Sequence, residues 1–105
     1  MLQDPPSPTA AAGRPTIEFR SAYDQGFARV AAVTLPVVLA DPAANAAATI
    51  EQTRVLSDDG ACLAVFPELG LTGYSIDDLL LSDVLLAEVL AAIETIRAAS
   101  ADLLP

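Results

Sequence analysis

The residue best placed to do chemistry is Glu68, within the stretch Val65 to Leu81, VFPELGLTGYSIDDLLL. A carboxylate can take up and return protons, and a positioned general base typically contributes about 10² to 10⁴ in rate. Pro67 ahead of it and Gly70 and Gly73 behind it predict a tight turn that aims the side chain. Residue type and spacing also suit a solvated loop acid, and they leave both readings open. Cys62 is the one thiol in the chain. It lies inside an apolar run, where a cysteine is expected to behave as a small buried hydrophobe rather than a nucleophile. Asp77 and Asp78 read as acids that cap or charge the start of a short helix. A Ca²⁺ or Mg²⁺ cage needs more oxygen ligands than this pair offers. Asp58 and Asp59 read as a solvated helix end, slightly unfavourable against the helix dipole.

Composition narrows what else could act. The chain has no His and no Lys, and its five cations are Arg14, Arg20, Arg29, Arg54 and Arg97. A Ser-His-Asp triad, a Cys-His pair and a His-based metal site are therefore excluded within it. The formal net charge is −9. Nucleic acid calls for a basic footprint, and an anionic membrane surface would repel such a chain. A lone Cys forms no internal disulfide, which fits a reducing compartment. The N-terminus shows no cationic region followed by an apolar one. The longest apolar stretch, Val30 to Ala40, is broken by Thr34 and Pro36, well short of the roughly 20 residues of a membrane span. A soluble cytoplasmic protein is the expectation.

These residues need elements to hold them. Residues 1–17, with Pro5, Pro6, Pro8 and Pro15, show no apolar period and predict a disordered tail. Phe27 to Leu35 is short, apolar and rich in valine, and predicts a buried strand ended by Pro36. Asp41-Pro42 predicts a helix start, with Asp41 as cap and Pro42 in the first helical position. That helix runs to about Ser57, and Gly60 closes it in a left-handed conformation. Ala61 to Phe66 is continuously apolar, as in a strand covered on both faces. Strand, helix, strand in this order make a βαβ unit with parallel strands. Glu68 then falls just beyond the carboxyl end of the second strand, the edge where active groups of open parallel sheets gather. Ser82 predicts the cap of a helix over about Asp83 to Ala99. Leu85, Leu86, Val89, Ala92, Ile93 and Ile96 form its apolar stripe. Asp102-Leu-Leu-Pro105 is where the next strand of an α/β sheet should begin, and that strand is expected to be missing.

Phe66-Pro67-Glu68-Leu69 with Thr72-Gly73-Tyr74 resembles the first signature of the nitrilase, or carbon–nitrogen hydrolase, superfamily. Asp77-Asp78-Leu79-Leu80 extends the likeness. With Phe19 to Tyr23, Gly26-Phe27, Arg29 to Ala32 and Asp41 to Asn45, it is similar to the start of the glutaminase domain of glutamine-dependent NAD⁺ synthetases. The likeness runs from about residue 18 to the end. It implies an α/β fold in which residues 18–105 are the N-terminal portion, in βαβα order, of a four-layer αββα sandwich.

The resemblance also implies a Glu-Lys-Cys triad. In it the Cys attacks the glutamine side-chain amide, the Glu is general base and the Lys stabilises the oxyanion. Glu68 matches the Glu, while the Lys and Cys are expected beyond residue 105. This chain alone is then expected to be inactive, with no cofactor of its own. ATP and Mg²⁺ would serve a separate synthetase domain that makes NAD⁺ from deamido-NAD⁺, and the full-length parent would form homo-oligomers. Tyr74, next to Gly73 in the signature, reads either as lining the substrate pocket or tunnel mouth or as an aromatic packed on the loop. A fragment of a stand-alone amidase or carbamoylase, and a non-catalytic remnant, are the alternatives.

Overall fold

The structure, a computed structural model, describes residues 22–103. Its elements follow as β1 (Val30–Ala32), α1 (Pro42–Asp58), β2 (Leu63–Val65) and α2 (Asp83–Ala99), with 3-10 turns at Tyr23–Gln25, Asp77–Leu81 and Ser100–Asp102. The tail expected over residues 1–17 lies outside the described residues. The two strands pair in parallel, with Val30 opposite Leu63, Ala31 opposite Ala64 and Ala32 opposite Val65. Mixed helix and strand around a small parallel sheet agrees with the α/β class expected.

Both strands are shorter than the apolar runs that encode them. Beyond the paired residues the ladder continues through single bonds, Cys62 N–H to the Arg29 carbonyl (2.9 Å) and Val33 N–H to the Val65 carbonyl (2.8 Å). The expectation that β2 is covered on both faces is not met. Val30, Leu63 and Val65 are more than half exposed, and only Ala31 and Ala64 are partly covered. Side chains alternate across a strand, so one face of this sheet carries no covering layer among the described residues. Cys62, just before β2 and in phase with Ala64, is exposed as well, which corrects its reading as a buried hydrophobe.

Helix α1 starts and stops as its sequence dictates. The Asp41 carboxylate accepts the Ala44 N–H at 3.1 Å, and Pro42 follows where no amide hydrogen is needed. At the other end Gly60 takes φ +86°. Its N–H reaches the Ser57 carbonyl at 3.0 Å, and that of Ala61 reaches the Leu56 carbonyl at 2.9 Å. This pair of bonds satisfies carbonyls that the helix leaves open. A Cβ at Gly60 would meet nothing within 4 Å, so Gly60→Ala isolates the backbone cost. It is expected to destabilise the protein by about 1 kcal/mol, read as a lowered urea midpoint with an unchanged slope.

The chain before β1 is fastened to this helix end. The Tyr23 hydroxyl donates to the Gly60 carbonyl, and Arg29 Nη1 donates to the Asp59 carbonyl at 2.5 Å. Asp59 also faces Arg29 across 3.4 Å. Asp58 is the solvated acid expected there, but Asp59 has gained a cation.

Helix α2 begins with the Ser82 hydroxyl accepting the Leu85 N–H at 3.2 Å, and it packs along α1. Its expected stripe divides in two. Leu85 and Ala92 are buried and Val89 and Ile96 partly so, whereas Leu86 and Ile93 are exposed, as is Leu90 outside the stripe. On the polar side Arg97 grips Glu94 through two bonds of 2.8 and 2.6 Å. That hydrogen bond holds the Glu94 carboxyl below its usual value. Any stability from the pair is therefore present at neutral pH and lost as pH falls through the lowered value, and full exposure keeps it small.

Candidate active site

Parallel pairing brings the segments that follow β1 and β2 to the same sheet edge. The segment after β2 carries Glu68. It is exposed and, among the described residues, its carboxylate meets neither a cation nor a hydrogen-bond donor. Its position is therefore set by the backbone beneath it. Leu69 adopts φ +56°, a left-handed conformation rare for a residue of this shape. Its carbonyl accepts the N–H groups of Thr72 (3.2 Å) and Gly73 (2.8 Å), closing the turn predicted from Pro67, Gly70 and Gly73. A Cβ at Gly70 would stand 3.2 Å from the Pro67 carbonyl oxygen. Gly73, at φ +89°, lets the segment after β1 come close, since a Cβ there would lie 2.9 Å from Leu39 Cδ1.

The two segments are joined by more than contact. The Ala40 N–H donates to the Thr72 carbonyl at 2.7 Å. Asn45, in the first turns of α1, is 4% exposed. Its Oδ1 accepts the Val38 N–H, and its Nδ2 donates to the carbonyls of Val38 and Leu71, each at 2.8 Å. Oδ1 faces a donor and Nδ2 faces two acceptors, so the amide fits in only one orientation. Thr72 is also buried, with its hydroxyl bonded to the Gly73 carbonyl at 3.1 Å. Asn45 and Thr72 were not singled out from the sequence. The available signal was a lone Asn in an Ala-rich helix, PAANAAAT, where Asn is a poor helix former and needs another reason to be present.

Tyr74 is 76% exposed. It stands beside the turn with its ring open to solvent among the described residues. Asp77 and Asp78 charge the first turn of the Asp77–Leu81 helix but make no capping bond there. Among the described residues no group of three or more His, Cys, Asp or Glu could hold a metal ion, and no helix is long and apolar enough to cross a membrane. Cys62 precedes β2 and Glu68 follows it, so the two lie toward opposite ends of the strand.

The family model for carbon-nitrogen hydrolase matches residues 29–102. The chain is 55% identical over 89 residues to a protein of Mycobacterium tuberculosis named glutamine-dependent NAD(+) synthetase, with the same figures for that of Mycobacterium bovis. The protein of that name in Mycobacterium leprae is 51% identical over 89 residues. In each case the match covers 85% of this chain and 13% of the relative's length. With residues 29–102 matched by the family model, this protein belongs to the carbon-nitrogen hydrolase family.

Proposed function

We propose that this chain supplies the general base, Glu68, of a glutaminase domain that feeds ammonia to ATP-dependent synthesis of NAD⁺ from deamido-NAD⁺. The observation that carries this reading is the turn around Glu68. It leaves a carboxylate that is exposed and, among the described residues, unpaired, at the carboxyl edge of the sheet inside the stretch that resembles the family's signature. The names of the relatives support glutamine as the amide and NAD⁺ synthesis as the destination. On this reading residues 18–105 are part of an αββα sandwich.

In the reaction Glu68 takes the proton of a thiol, and the sulfur bonds to the amide carbon of glutamine. The C–N bond then breaks and ammonia leaves, carrying the proton that Glu68 returns. Water, deprotonated by Glu68, next attacks the thioester carbon; the C–S bond breaks, glutamate departs and the thiol is restored. The thiol and the oxyanion-stabilising Lys come from outside these residues, because the chain has no Lys and its one Cys lies toward the other end of β2. Tyr74, exposed next to the turn, is assigned to the wall of the substrate pocket. ATP and Mg²⁺ belong to the synthetase step, and none of the chemistry above runs through them.

The test is to supply the full-length protein with glutamine, and separately with glutamine, ATP and deamido-NAD⁺. Ammonia release and NAD⁺ formation are both expected. Ammonia without NAD⁺ would leave a stand-alone amidase, and neither product would remove the glutaminase assignment. Residues 1–105 alone are expected to release no more ammonia than the same preparation carrying Glu68→Ala.

A further inference from the structure

We infer that Asn45 is a positioning residue for the Glu68 carboxylate, acting through the backbone of the turn rather than on substrate. The inference rests on the assignment of Glu68 as base. Nothing among the described residues grips the carboxylate itself, so its placement is inherited from the turn between Pro67 and Gly73. One buried side chain fastens that turn to the rest of the fold. The Asn45 amide pairs with both backbone groups of Val38 and spends its remaining N–H on the Leu71 carbonyl. The bond from Ala40 to Thr72 and the approach of Leu39 to Gly73 lie beside this clamp. They hold the same two segments but do not reach Leu71. Helix α1 thereby sets the height and tilt of a turn that is distant in sequence. A base misplaced by about 1 Å can lose on the order of 10² in rate.

Asn45→Asp tests this with almost no change of shape. A carboxylate still accepts the Val38 N–H, but it has no hydrogen to give and sets an oxygen against the carbonyls of Val38 and Leu71. In the full-length protein, kcat for glutamine-dependent NAD⁺ formation is expected to fall by about 10². KM for glutamine and the rate with ammonium should stay near their starting values. Added to Glu68→Gln, the same change is expected to lower glutamine use little further, because its effect passes through the missing base.

Parallel loss with glutamine and ammonium would make Asn45 a general structural residue and overturn the inference. So would a raised KM with unchanged kcat, or full additivity with Glu68→Gln. If Glu68→Gln itself leaves glutamine use intact, the assignment of the base has failed instead. Should Asn45→Asp not yield folded protein, Asn45→Ser, which is uncharged and too short to span both segments, is expected to show the same split between kcat and KM.

Discussion

Glu68→Gln is expected to cut glutamine-dependent NAD⁺ formation by about 10² to 10⁴, or by more if base, thiol and Lys act as a unit. The rate with free ammonium should stay near that of the unsubstituted protein. The substitution keeps the size of the side chain and one carbonyl oxygen but removes the basic site. Because the carboxylate meets no cation or donor among the described residues, its loss breaks no ion pair among them and should leave the turn unchanged. Glu68→Asp keeps the chemistry and withdraws it by one methylene, so a loss on the order of 10² is expected from misplacement alone. The measurement is NAD⁺ formation from deamido-NAD⁺ and ATP with either nitrogen source. Equal loss with both would assign Glu68 to structure, and unaffected glutamine use would remove it from the site.

Residues 1–105 on their own are expected to show no sharp thermal transition as a monomer. The buried apolar residues among those described include Ala46, Ile76, Leu85, Ala92 and Pro42, two of them alanines. Fixing the backbone costs about 1–2 kcal/mol per residue, and so few side chains offset little of it at roughly 25 cal/mol per Å². The apolar surface left open includes Val30, Leu63 and Val65 on the sheet and Leu86, Leu90 and Ile93 on α2. Open strand edges and contiguous apolar faces favour self-association. Helical far-UV circular dichroism without near-UV signal, a broad melt and a concentration-dependent sedimentation profile are the expected results. A cooperative melt from a monomer would contradict them.

Local signals in the sequence carried the helices well. Asp41-Pro42, Gly60 and Ser82 act within one or two turns of chain, and the α1 and α2 boundaries follow them closely. The strands were overestimated, since an apolar run reports burial potential while a ladder exists only where a partner strand is in register. The cover on β2 was misjudged for a related reason, because it depends on a layer that the described residues do not contain, and Cys62, placed inside a buried strand from its apolar run, falls just before the short strand and is exposed. The turn at Glu68 was legible from its Pro and Gly residues, but the clamp beneath it was not. Asn45 meets Leu71 across the fold, and no local pattern announces such a pairing.

The parallel register also sets a clock on the ribosome. Leu63 lies 33 residues downstream of its partner Val30. At about 5–20 residues per second, β1 waits roughly 2–7 s before β2 has even been synthesised, whereas a helix such as α1 relaxes in about a microsecond. During that interval the unpaired edge of β1 is available to any other extended chain on the polysome. The capped α1, the long helix that can form in the meantime, then serves as the nascent chain's placeholder.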